Sequence, residues 1–144
     1  MTIRFAALIV ILAALFGANS ARAQSADGTW LTQAGDARVK ISKCGGGICG
    51  HIVWLREPMD TTTGQPATDS KNPNRALAKR PMIGLPLFSG MQPSGPNKWS
   101  GQIYNADDGS TYASSVTVTG ADSLRVEGCV GALCGGETWT RAGR

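Results

Sequence analysis

The sequence predicts an all-β protein, a small up-and-down antiparallel barrel of about seven or eight strands with one short helix. Three observations predict it. A hairpin pattern carrying its own cysteine pair occurs twice, with corresponding positions 85 residues apart. A third hairpin lies between the copies, around Asp108-Gly109. Nearly all connections between extended segments are hairpin-short, which suits a closed barrel or a sandwich.

The first copy reads Val39-x-Ile41-x-x-Cys44-x-x-x-x-Cys49-x-x-Ile52-x-Trp54. The second reads Leu124-x-Val126-x-x-Cys129-x-x-x-x-Cys134-x-x-Glu137-x-Trp139. Four cysteines allow three pairings. The local one, Cys44 with Cys49 and Cys129 with Cys134, is preferred on hydrophobic pattern. If Cys44 faces Cys49, then Val39 opposes Trp54 and Ile41 opposes Ile52 on one wholly apolar face. Lys40/Val53, Ser42/His51 and Arg38/Leu55 make the other, mostly polar face. A half-buried antiparallel pair separates its faces in this way, and a one-residue slip destroys the separation. The second copy places Leu124/Trp139 and Val126/Glu137 inward. Asp122 and Arg141 then oppose each other at the mouth of that face. Glu137 stands where the first copy has Ile52.

In the third hairpin, Trp99–Tyr104 and Thr111–Val118 flank Asp108-Gly109, a strong two-residue turn signal. That turn pairs Trp99 with Val118, Gly101 with Val116 and Ile103 with Ser114, with Tyr112 on the same face. Asp107-Asp108-Gly109 resembles part of a calcium loop, but the glutamate that ends an EF-hand loop is missing, since Val116 stands there. Further strands are expected over Thr29–Leu31 and near Met82–Phe88. The one long connection runs from Arg56 to Arg80. Asn72 is a good N-cap, Pro73 suits the first helical position and Pro81 stops a helix, so a short helix is expected over 73–79.

The chain begins like an exported protein. Arg4 precedes an unbroken apolar run of 12 residues, Phe5 to Phe16, and Ala21-Arg22-Ala23 supplies a small-x-small cleavage pattern. The run is shorter than the roughly 20 residues a bilayer-spanning helix needs. Residues 1–23 are therefore expected to be a signal peptide that is removed. Residues 24–144 then form a single barrel domain of 121 residues, periplasmic or secreted, with no membrane span. Cysteines beyond an export signal persist as disulfides. The formal charge is +4, but the basic residues are scattered and Lys79-Arg80 is the only adjacent pair. Nucleic-acid binding needs clustered Lys and Arg, so it is rejected.

Family resemblance enters through longer motifs. Gly28-x-Trp30 near the mature N-terminus and Trp139-Thr140-Arg141 near the C-terminus look like lipocalin (calycin) barrel closure. In that superfamily the tryptophan packs beside an arginine from the last strand. The stretch Asp69-x-x-Asn72-Pro73-Asn74, then Arg80, Gly84-Leu85-Pro86, Trp99-x-Gly101-x-Ile103-Tyr104, Asp108-Gly109-x-x-Tyr112, Leu124-x-Val126-x-Gly128 and Trp139-x-Arg141 resembles a bacterial secreted family, domain of unknown function 2147. The resemblance covers nearly the whole mature chain and implies a small lipocalin-like barrel in the periplasm. It supplies no catalytic residues. The chain is shorter than usual lipocalins, which argues against a roomy cavity.

Chemistry-bearing groups are sparse. Structural zinc sites favour tighter cysteine spacing, and a redox pair would show Cys-x-x-Cys. His51, the sole histidine, faces outward opposite Ser42 in the expected register and reads as a solvent-facing histidine, because a catalytic triad needs a nucleophile and a carboxylate beside it. No Gly-x-Ser-x-Gly elbow, paired carboxylates or phosphate loop occurs. The sequence therefore implies no catalytic residue, metal or cofactor. Trp30, Trp54, Trp99, Tyr112 and Trp139 are expected inside, where they either fill a narrow barrel or line a ligand cavity. A buried carboxylate must be paired, protonated or wet. Glu137 is thus expected either to pair with Arg141 or a Trp/Tyr donor, or to anchor a small apolar or amphipathic ligand. On the second reading, Glu137→Gln keeps the fold and alters ligand binding. Asp69, Asn72, Asn74 and Arg75 form a polar cluster that capping and turn bonds explain, with a rim site as the alternative. The oligomeric state is open. Two function classes follow: a periplasmic lipocalin-like binder, or a filled, non-enzymatic interaction module of the cell envelope.

Overall fold

Eight strands run in chain order around one closed antiparallel barrel, the last pairing with the first. The computed structural model describes residues 24–143. The expected signal segment lies outside them. The strands are β1 (Gly28–Leu31), β2 (Ala37–Cys44), β3 (Gly47–Leu55), β4 (Pro86–Gly95), β5 (Lys98–Asn105), β6 (Ser110–Gly120), β7 (Ser123–Val130) and β8 (Leu133–Arg141). Because direction alternates, the β1–β2, β3–β4, β5–β6 and β7–β8 connections share one end of the barrel. The other connections and the first described residues share the opposite end. The two stapled hairpins therefore sit at opposite ends.

Alternation along each strand builds the core. Trp30, Val39, Ile41, Ile48, Phe88, Met91, Val116, Leu124, Val126 and Trp139 are buried and form one cluster. Both disulfides are local: Cys44–Cys49 and Cys129–Cys134. The β7–β8 register is the expected one, with Val126 opposite Glu137 and Cys129 opposite Cys134.

The β2–β3 register differs from expectation by two residues. Val39 meets Ile52, Ile41 meets Gly50 and Cys44 meets Gly47. The cause is a tighter turn: Gly45 and Gly46 both take positive φ, 51° and 76°, as a two-residue type I′ hairpin requires. The cysteines bridge diagonally, with Cα atoms 5.8 Å apart. A shift of two preserves which side faces inward, so Val39, Ile41 and Ile52 stay in the core. The parity breaks only at a bulge between Arg38 and Val39. Beyond it Trp54 opposes Arg38 and lies outside, against the expectation of an inward tryptophan.

Three further expectations are corrected. In the β5–β6 hairpin Trp99 pairs with Val116 and Ile103 with Tyr112, again two residues off with faces preserved. Its turn spans four residues, closed by the Gly109 amide on the Asn105 carbonyl at 2.8 Å. The strand expected near Met82–Phe88 starts at Pro86 and runs on to Gly95. Residues 73–79 form no helix. The Ala78 amide reaches the Asn74 carbonyl at 3.0 Å, but the next bond, Arg80 to Leu77, is already an i→i+3 contact. One turn is too short to repay helix nucleation. Asn72 instead closes a side-chain turn by accepting the Asn74 amide at 2.9 Å.

Candidate functional site

The barrel is closed where its termini meet. The Arg141 guanidinium stacks 4.2 Å from the Trp30 ring centroid. It also donates to the Asp27 and Ala121 carbonyls, both at 3.0 Å. The Trp30 indole N–H donates to the Ala26 carbonyl at 2.8 Å. A Cβ on Gly28 would sit 2.5 Å from an Arg141 nitrogen, and its φ of +136° disfavours any side chain. Asp122 faces Arg141 at 3.6 Å, as the register implies.

The sequence candidates are scattered rather than gathered. Trp30 and Trp139 are enclosed by the core, and Trp99 packs partly buried against it. Tyr112 is half-buried towards the loop end, its hydroxyl donating to Asp108. That bond comes first in raising the Tyr112 phenol above its ordinary value and in holding the Asp108 carboxyl below its own. Glu137 projects inward, half-buried, and its carboxylate accepts the Trp139 indole N–H. Of the two internal partners expected for Glu137, the Trp donor is the one present; Arg141 is committed to the closure. Trp54 lies outside, 36% exposed.

The loop end holds a polar centre that capping does not explain. Asp69 is fully buried in the long connection between β3 and β4. Its carboxylate accepts bonds from Tyr104 Oη at 2.6 Å, Asn72 Nδ2 at 2.9 Å and Arg80 Nε at 3.0 Å. A second Arg80 nitrogen approaches to 3.0 Å. Both carboxylate oxygens are hydrogen-bonded, Oδ1 to Tyr104 and Oδ2 to Asn72 and Arg80, which is what makes a buried carboxylate tolerable. Burial and then the bond to Asp69 push the Tyr104 phenol upward. Tyr104 faces outward on β5, so the node straps the connection over the outer wall. The Lys71 carbonyl lies against Gly109 in the same strap.

Beneath the strap the β4–β5 ladder stops short, although Met91 of β4 still packs against Gly101 of β5. The β4–β5 ladder runs from Gly95/Lys98 to Gln92/Ser100, and no pairing joins the strands beyond. The Val118 amide bonds the Asn97 carbonyl. Peptide groups of Trp99, Gly101 and Ile103 therefore aim at β6, and those of Ser100, Gln102 and Tyr104 aim at β4. Gln102 and Tyr104 have no ladder partner there. A groove of about 570 Å³ opens at this seam, within the roughly 300–1,000 Å³ of small-molecule sites. Leu77 and Arg80 of the strap, Pro86 to Ser89 of β4, Gln102 and Tyr104 of β5 and Thr111 of β6 line it. Phe88, a core residue at 3% exposure, reaches it from inside. A second hollow of about 400 Å³ lies at the opposite end beside the Cys44–Cys49 turn. Sequence reasoning missed the seam. Its signal is Gly90, two residues before Gln92 in the chain, whose positive φ of 71° interrupts the extended path of β4.

This eight-stranded closure with a capped Trp–Arg pair defines a lipocalin-like barrel. A solved structure supports that class: a Helicobacter pylori protein, HP1028, described as belonging to the lipocalin family. It superposes with a TM-score of 0.69 at 22% identity, covering 83% of this chain and 84% of that one. The profile of a bacterial family described as "Uncharacterized protein conserved in bacteria (DUF2147)" matches residues 28–141. The chain belongs to that family. No curated protein matches the chain.

Proposed function

We propose that this protein is a periplasmic binder of a small, partly apolar molecule, taken up at the β4–β5 seam rather than deep in the barrel. One observation carries the reading: the strand ladder stops at Gln92/Ser100 and leaves a groove of about 570 Å³ that reaches the core at Phe88. Apolar walls beside peptide groups that lie outside the ladder, with the Gln102 amide, suit a ligand with an aliphatic or aromatic body and a hydrogen-bonding end. The closed end offers less, because Trp30, Leu124 and Trp139 fill it. The lipocalin-like fold and the disulfides, which suit an oxidising compartment, support this reading. Among the described residues no constellation of groups favours an enzyme.

Native mass spectrometry of protein purified from its own periplasm tests the proposal. A co-purifying molecule that is lost in Thr111→Trp, which fills the groove, supports it. Repeated absence of any bound molecule, with no tryptophan-fluorescence response to lipids or aromatic compounds, removes it.

A further inference from the structure

We infer that the outer wall formed by β1, β2 and β3 docks the protein onto an anionic phospholipid surface. The starting point is a bulge. Alternation puts Trp54 inside, yet the irregularity between Arg38 and Val39 turns it out, leaving it 36% exposed beside Val53 at 37%. Bulges re-aim side chains in this way, often at functional positions. The Arg38 guanidinium sits 4.8 Å from the Trp54 ring centroid, so cation and indole share one outward platform.

The register fixes what surrounds that platform. Leu31, Arg38 and Trp54 form one outward row, and Thr29, Lys40 and His51 form the next. β1, β2 and β3 contain no aspartate or glutamate. Arg56, at the end of β3, is held by the Ala34 carbonyl at 3.4 Å and adds a further cation. The acids nearest in the chain, Asp27, Asp36 and Glu57, lie in the segments flanking these strands. Gly84 and Leu85 bond both sides of the Ile52 peptide at 2.7 and 3.0 Å, so the 44% exposed Ile83 flanks the same strand end.

Charge complementarity and apolar exposure together choose the partner. A soluble polyanion would engage Arg38 and Lys40 but leave Trp54, Val53 and Ile83 wet. An anionic bilayer satisfies both sets. Its phosphates meet the cations, and its interfacial layer accepts an indole and aliphatic groups at the same depth. Such docking leaves the β4–β5 groove on the adjoining wall unoccupied, so it does not depend on the ligand reading.

Sedimentation of the full exported protein with vesicles tests this inference. Phosphatidylcholine vesicles containing phosphatidylglycerol are compared with phosphatidylcholine alone, at low and high salt. The expected result is binding to the anionic vesicles only, weakened by salt, with a blue shift of tryptophan emission. Lys40→Ala should weaken binding about fivefold, and Trp54→Ser should weaken it and abolish most of the shift. Lys98→Ala, on β5, should change nothing. The inference is overturned by equal binding to neutral vesicles, by no binding at low salt, or by full binding of both wall variants. Binding to a soluble anionic polysaccharide but not to vesicles also overturns it, assigning the wall to a glycan. Lys40 is exposed, so its variant reads out even where Trp54→Ser loses the fold.

Discussion

The Tyr104 hydroxyl donates a 2.6 Å hydrogen bond to the Asp69 carboxylate, joining β5 to a connection 35 residues earlier in the chain. Asp69→Ala should therefore cost roughly 2–4 kcal/mol, since it strands Arg80 and the Tyr104 hydroxyl near the buried site. Tyr104→Phe removes one bond and should cost about 1–2 kcal/mol. Urea denaturation of both variants checks the order. Equal, negligible losses would mean the strap is not held by this node.

The chain has two tyrosines, and both phenols are held above their ordinary value. Ultraviolet titration should show little phenolate near pH 10, the usual value, with both groups ionising higher. Asp69→Asn should lower one transition and Asp108→Asn the other. The linkage sign follows from a raised folded pKa. The tyrosines' contribution to stability is complete below the unfolded value and is lost as pH rises through the folded one. The Asp108 shift has the opposite sense: its contribution is present above the unfolded carboxyl value and lost as pH falls through the folded one.

Glu137→Gln keeps a carbonyl acceptor for the Trp139 indole. Stability should stay within about 1 kcal/mol of the parent, while tryptophan emission shifts as the charge is removed. The same variant separates two ligand locations. β8 lies across the barrel from β4, so a ligand at the seam should bind unchanged. A large loss of affinity in Glu137→Gln would place the ligand in the lumen beside Glu137.

Removing the closure should be severe. Trp30→Ala empties a fully buried indole site and should cost about 3–5 kcal/mol. Gly28→Ala meets the Arg141 guanidinium and also demands an unfavourable φ. Calorimetry should rank Trp30→Ala and Gly28→Ala both well below Lys98→Ala, which alters an exposed side chain. Removing the first staple, Cys44→Ser with Cys49→Ser, closes too short a loop to matter as much, and should cost about 2 kcal/mol.

Much of the barrel was legible in the sequence. Period-two alternation and paired cysteines located six of the eight strands and the inward faces of all three hairpins. The two register errors were both shifts of two, which alternation cannot detect because they leave every side chain on its face. Only turn geometry distinguishes such registers: Gly45-Gly46 made one turn tighter than expected, and Gly109 closed the other as a longer one. Trp54 was misplaced because a bulge adds one unpaired residue, and nothing in the apolar pattern marks it. The Asp69 node was half visible. The polar cluster marked in the sequence contains its Asp69–Asn72 bond, but Arg80 and Tyr104 join Asp69 only through tertiary folding, so the cluster reads as turn formers.

The open seam between β4 and β5 is the central claim, and residue-resolved amide hydrogen exchange measures it most directly. In the free protein, the Ser100 amide should be protected by its ladder with Gln92. The Gln102 and Tyr104 amides, aimed at β4 without a ladder partner, should exchange much faster and gain protection when the co-purifying ligand is added. Protection of Gln102 and Tyr104 equal to that of Ser100 in the ligand-free protein would contradict the account, because it would show the wall closed where the groove is placed.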